Sequence, residues 1–151
     1  MGTAKLTHLI YTSAATPGLD PADLKTILQT ARSRNAQRFV TGMLLYTSGS
    51  FFQVLEGDEA TLMALFAIIA ADPRHKSVTK IIHEPIAQRA FGDWTMGFAE
   101  IDPSELARIE GFSDFLQQGD SLTNLAPGRA KKMLSAFAQG RWRARLKGDA
   151  T

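Results

Sequence analysis

The chain of 151 residues contains no cysteine. Disulfides and thiolate-held metals are therefore excluded, and the absence fits a reducing cytoplasm. Histidine is scarce as well. His8, His75 and His83 are scattered without ligand spacing, so no metal site is expected. No apolar run approaches the roughly 20 residues that a membrane-spanning helix needs, so no membrane insertion is expected. The N-terminus, MGTAKLTHLI, has one lysine and no apolar stretch leading to a small-residue cleavage site, which argues against a secretory signal. Gly2 lacks the myristoylation pattern because Leu6 stands where Ser or Thr is required. Internal repeats and low-complexity tracts are also missing. What is present, 44% hydrophobic and 21% charged residues, is the balance of a soluble globular chain with a core of its own, expected in the cytoplasm.

Charge is unevenly spread. Residues 1–102 carry 9 basic and 10 acidic side chains, and residues 103–151 carry 8 and 5, so the net charge of +2 is made in the second part. Seven basic residues between Arg129 and Lys147 meet no acid. A solvated helix face accounts for this run. An acidic protein partner or a nucleic acid are the sharper readings, and nucleic acid is not favoured.

Lys5 to Thr12, KLTHLIYT, reads as a strand. Asp20-Pro21 is an N-cap followed by proline at the first helical position. Leu24, Ile27, Leu28 and Ala31 then mark a helix to about Asn35. Phe39 to Gly57 is an apolar β-hairpin around Ser48-Gly49. Asp58 caps a second helix with the stripe Leu62, Leu65, Phe66, Ile69, ending near Asp72-Pro73. Val78–Ile82 and Trp94–Ile101 read as two more strands. The order β-α-β-β-α-β-β is an α+β arrangement resembling the ferredoxin-like sandwich. Asp102-Pro103-Ser104-Glu105 opens a further helix with the stripe Leu106, Ile109, Phe112, Leu116. A last helix from about Arg129 shows Met133, Leu134, Phe137 and Trp142 on one side. These two C-terminal helices are expected to cover the open face of the sheet. The division is residues 1–102 as the domain proper and 103–151 as a helical extension.

Polar residues mark the site. In the second hairpin arm Gln53 shares a face with Phe51 and Leu55, while Phe52, Val54 and Glu56 point the other way. An unpaired buried amide costs about 1–3 kcal/mol, so a protein group or a ligand must meet Gln53 there. A ferredoxin-like sheet places the first strand beside the third and brings Tyr11 within reach of Gln53. With Asn35 at the end of the first helix, these residues line a cleft suited to a planar, amide-rich ring. Taken singly, Asn35 is more often a helix C-terminal residue and Tyr11 more often a core aromatic with its hydroxyl at the rim. Glu56, facing away, reads as structural.

At these residues the chain resembles the BLUF domains, sensors of blue light using FAD. The resemblance covers about residues 5–101. It rests on LIYTS with Tyr11 and Ser13, on Asn35, and on VTGMLLYTSGSFFQVLEG with Gln53. DPRH at 72–75 and RAFGDWTMGF with Arg89, Trp94 and Met96 complete it. The separations are 24 residues from Tyr11 to Asn35, 18 to Gln53 and 43 to Met96. The resemblance implies a non-covalent FAD site and no catalytic turnover. Tyr11 and Gln53 would be the photoactive pair. Ser13, Arg34, Asn35, Gln53, Arg74 and His75 would hold the cofactor, and Trp94 and Met96 would relay the signal. Within the family either of the last two can lie next to the glutamine. FAD rather than FMN follows from the family alone. Short chains of this type imply self-association and a separate downstream protein. Two other classes compete: a flavin oxidoreductase, for which Tyr11 and Gln53 are poor acid–base groups, and a nucleic-acid binder using the basic helix.

Overall fold

The computed structural model describes residues 5–15, 20–47, 49–72, 75–92, 94–101, 103–106, 108 and 127–138. Strand β1, Leu6–Ala15, leads to helix α1, Pro21–Arg38. Asp20 and Asp23 cap α1 reciprocally, each side chain accepting from the other's backbone N–H at 2.9 and 3.2 Å. The helix runs past Asn35 because Ala36, Gln37 and Arg38 are sound helix formers. It stops at Phe39, which adopts a left-handed conformation with φ 58°.

Strands β2, Thr41–Thr47, and β3, Ser50–Asp58, form the expected hairpin. Gly49 takes φ 77° at its tip, and Ser48 lies outside the described residues. Gly42 is required by close approach, since a Cβ there would run into the Val54 carbonyl. Asp58 caps α2, Glu59–Ala70, by accepting from the Thr61 N–H at 3.3 Å. Strand β4, His75–Pro85, is longer than the strand Val78–Ile82 expected from the sequence. Strand β5 spans Gly97–Glu100 and starts three residues later than expected.

The sheet order is β4-β1-β3-β2-β5, antiparallel except for the β2–β5 edge. This is the ferredoxin-like pairing with one strand added. β1 and β3 are central and covered on both faces, so successive residues of both are buried in turn. On one face Leu9, Tyr11, Phe51 and Leu55 meet Leu24, Leu28 and Ala31 of α1 and Leu62, Leu65 and Ile69 of α2.

The other face is closed by α4, Pro127–Phe137, whose Ala130, Met133 and Phe137 are fully buried against Ile10, Phe52, Val54 and Phe91. Of the segment between, one helical turn, α3 at Pro103–Leu106, is described. Ile109, Phe112, Leu116 and Trp142 lie outside the described residues. Lys131 of α4 reaches Glu84 at 3.3 Å, and Glu84 also meets buried His8 at 2.9 Å. The His8 hydrogen bond, assisted by Lys131, holds the Glu84 carboxyl below its usual value. The apolar stripe of the basic helix is thus core, and its Lys131 side chain tethers it to the sheet.

Candidate functional site

Tyr11 and Gln53 stand directly opposite each other across the β1–β3 ladder. Both point to the α1/α2 face and both are buried. The Tyr11 hydroxyl donates to Gln53 Oε1. Gln53 Nε2 in turn donates to Met96 Sδ at 3.4 Å. One amide therefore bridges a phenol and a thioether. Phe66 of α2 packs edge-on against the Tyr11 ring at 5.5 Å between centroids. Burial pushes the phenol pKa far up, which the Arg34 cation opposes and the Asp72 carboxylate reinforces. Tyr11 is thus neutral at any physiological pH.

Tyr11 and Gln53 wall a narrow cleft between α1 and α2 with a cavity volume of about 30 Å³. Ile27, Ala31 and Arg34 line it from α1, Leu44, Phe51 and Gln53 from the hairpin, and Ile69 and Asp72 from α2 and its end. Mostly apolar walls with a few polar groups are the usual make-up of a cofactor site.

Asn35 is buried in the penultimate turn of α1. Its Nδ2 donates to the Thr95 carbonyl at 2.7 Å, and its Oδ1 is buried without a hydrogen-bond partner. Ser13 is buried on the same face of β1 as Tyr11, opposite Phe51. Met96 lies next to the glutamine. Trp94 does not: it packs on the α4 face, stacked on Phe91 at 6.5 Å. Both residues precede the β5 ladder instead of lying in it, so the expected strand from Trp94 is corrected. Its opening residues bend because the Thr95 and Met96 carbonyls are captured by α1 side chains.

Glu56 belongs to the opposite face. It accepts from Thr41 Oγ1 at 2.8 Å, from the Ala90 N–H at 2.6 Å and from the Phe91 N–H at 3.1 Å. Arg89 locks the same corner by donating to Thr41 Oγ1, to the Glu56 carbonyl and to the Phe39 carbonyl, all within 2.9 Å. This pins the loop after β4 to the hairpin, as a structural role requires.

The sequence profile of the family described as "BLUF: Sensors of blue-light using FAD" matches residues 6–97. The chain belongs to the BLUF family. A photoactivated adenylate cyclase subunit beta from Euglena longa is 40% identical over 126 residues, 82% of this chain and 14% of that protein. The blue light- and temperature-regulated antirepressor BluF of Escherichia coli strain K12 is 34% identical over 87 residues, 58% of this chain and 22% of that one. The chain thus spans 14% of the length of the cyclase beta subunits it matches and 10% of an alpha subunit. Among solved structures, BlsA in its ground state superposes with a TM-score of 0.75 at 28% identity, covering 89% of each chain. BlrB, a BLUF protein in its dark state, gives 0.68 at 30%, covering 89% of this chain and 99% of that one.

The cofactor of the BLUF family is FAD. The apolar walls and the Gln53 amide of the cleft suit a flavin ring. Asn35, contrary to expectation, does not line this cleft. It lines a second depression with Phe39, Thr41, Arg89 and Thr95, where its buried Oδ1 is left as an acceptor that a ring N–H could satisfy. Two binding residues implied by the resemblance are not placed. Arg74 lies outside the described residues, and His75 is described by its backbone alone, paired with Ala15. Two contributors escaped sequence reasoning. Asp72, the first residue of DPRH, lines the cleft. Arg32, one turn before Asn35 on the same helix face, donates through Nε to the Met96 carbonyl at 3.0 Å. Its i, i−3 relation to Asn35 was the available signal.

Proposed function

We propose that the chain is a non-catalytic blue-light receptor that binds FAD non-covalently between α1 and α2. It signals by rearranging the hydrogen bonds of Tyr11 and Gln53. The observation that carries this reading is the Gln53 amide held between a phenol donor and a thioether acceptor at the wall of the cleft. Membership of the BLUF family supports both cofactor and stimulus. FAD supplies blue-light absorption and, once excited, an oxidising power. Arg34, Asn35 and Gln53 are assigned to the ring, with Ser13, Arg74 and His75 completing the binding set.

Tyr11 is the phenol that faces the cleft. Its ring can lose an electron, and its proton can pass to Gln53 Oε1, the atom it already bonds. Electron and proton later return. An amide that has gained a proton on oxygen and lost one from nitrogen, or turned by half, exchanges donor and acceptor at both ends. Tyr11 and Met96 then each face a different group. The signal is a shift between two hydrogen-bonded states of one covalent structure.

Met96 and the strand after it carry the change to the sheet edge, with Trp94 coupling it to the α4 face. A separate protein receives it, and the chain self-associates. Two relatives, a photoactivated adenylate cyclase subunit and an antirepressor, support coupling to an effector. Residues 1–102 form the photosensory unit and 103–151 the helical extension. No described helix is long and apolar enough to cross a membrane, in keeping with a cytoplasmic setting.

The purified protein should be yellow, release one FAD per chain on denaturation and show a small reversible red shift under blue light. A folded protein that stays colourless after incubation with FAD overturns the reading.

A further inference from the structure

Two consecutive carbonyls, those of Thr95 and Met96, both turn toward α1. Asn35 Nδ2 donates to the first at 2.7 Å and Arg32 Nε to the second at 3.0 Å. In a regular strand consecutive carbonyls point to opposite sides, so this backbone needs anchors outside the sheet. α1 supplies them from one face, because residues three apart on a helix are neighbours. The anchored residue is the one that touches the switch. Met96 is fully buried and its sulfur accepts from Gln53 Nε2.

A thioether accepts weakly and cannot donate. It therefore favours the amide orientation that sends nitrogen to the sulfur and oxygen to Tyr11. The half-turned amide would set its oxygen against the sulfur lone pairs. How strongly Met96 expresses this preference depends on how firmly its backbone is held.

We propose that Arg32 is a positioning residue of the photoreaction: it holds the Met96 carbonyl, and thereby fixes the sulfur against which Gln53 selects its amide orientation. This rests on the photoreceptor reading above. Arg32 does not line the cleft, unlike its neighbour Arg34. Its action on the switch runs through the Met96 carbonyl.

The bond runs through Nε, which lies as many bonds from Cα as the side-chain nitrogen of glutamine. Arg32→Gln thus returns a donor at the same depth without the charge. Arg32→Met keeps the stem and removes the donor. Met96→Leu removes the acceptor at nearly constant volume.

The test uses the full chain loaded with FAD, following dark recovery of the light-minus-dark spectrum. Alongside it, the methyl resonance of Met96 is recorded in flavin-free protein labelled at the methionine methyls. Arg32→Met should bind flavin at the parent stoichiometry and recover about two- to ten-fold more slowly, the effect of one ordinary hydrogen bond. Its Met96 signal should shift or broaden. Arg32→Gln should restore both readouts. Met96→Leu should slow recovery similarly, and adding Arg32→Met to it should change the rate by less than about two-fold, since the two act as one unit. Arg32→Lys, which keeps charge and displaces the donor, should behave as Arg32→Met and replaces it if that variant does not fold. Parent-like recovery and an unmoved Met96 signal in Arg32→Met overturn the assignment, as does Arg32→Gln behaving like Arg32→Met. A parent with no reversible light response overturns the photoreceptor reading and the assignment with it. A responsive parent beside an indifferent Arg32→Met overturns the assignment alone.

Discussion

Gln53 and Glu56 lie three residues apart on β3, both buried, on opposite faces of the same sheet. Glu56 is met by two backbone N–H groups and a threonine hydroxyl, all belonging to the corner it holds together. Gln53 is met by an oxidisable phenol and a soft thioether, beside a cleft. Burial of a polar group is common to both and therefore distinguishes nothing. The partners distinguish them. Backbone partners suit Glu56 to the part of a rivet, and partners able to change their own state suit Gln53 to the switch proposed for it.

The two faces differ in the same sense. The α4 face is filled by Phe52, Phe91, Met133 and Phe137. Phe137→Ala should therefore cost about 3–5 kcal/mol in a denaturant melt, with the flavin spectrum of the folded fraction unchanged. A truncation that costs little, or that abolishes the light response of folded protein, would erase the division between the faces.

Glu56→Ala strands the Ala90 and Phe91 N–H groups and should destabilise by about 3 kcal/mol, two lost hydrogen bonds to a carboxylate. The folded fraction should still respond to light. Loss of the response at parent-like stability would make Glu56 part of the switch and collapse the contrast with Gln53.

Much of this contrast was legible in the sequence. Alternation around Ser48-Gly49 set which hairpin residues share a face, and the ferredoxin-like order put Tyr11 against Gln53. The Trp94–Met96 segment was not legible. A regular strand would place these two residues on the same face. The bend that separates them is made by Arg32 and Asn35, more than fifty positions away in the chain, and no local pattern encodes it. The end of α1 was misplaced for a related reason. Asn35 looked like a terminus, whereas its polarity serves the Thr95 carbonyl and the helix continues to Arg38.

Alkaline pH probes the cleft face in particular. Tyr11 has a folded-state pKa above its unfolded value of 10.0 because it is buried. Above pH 10 the unfolded chain releases this proton and the folded one keeps it, so stability falls as pH rises. One such group contributes a slope of up to about 1.4 kcal/mol per pH unit. Equilibrium unfolding of Tyr11→Phe should show a shallower decline than the parent between pH 10 and the denaturation limit. Equal slopes would mean that the Tyr11 hydroxyl is not sequestered.

The smallest effect is expected at the Glu84 tether. Its carboxyl is lowered by His8 and Lys131 but is partly exposed to solvent, so Glu84→Gln should cost about 0.5 kcal/mol or less. That small loss should vanish as pH falls through the folded-state pKa, where the parent's carboxylate is itself neutralised. A larger loss would make the tether of α4 a principal support of its face.

The central claim is that the Gln53 amide is the switch. It is tested most directly by the light-minus-dark difference spectrum of Gln53→Leu recorded beside the parent. The substitution keeps approximate volume and removes both the acceptor for Tyr11 and the donor to Met96. The account predicts a flavin-loaded, folded protein with a displaced dark spectrum and no reversible red shift. A reversible red shift of parental size in Gln53→Leu contradicts it.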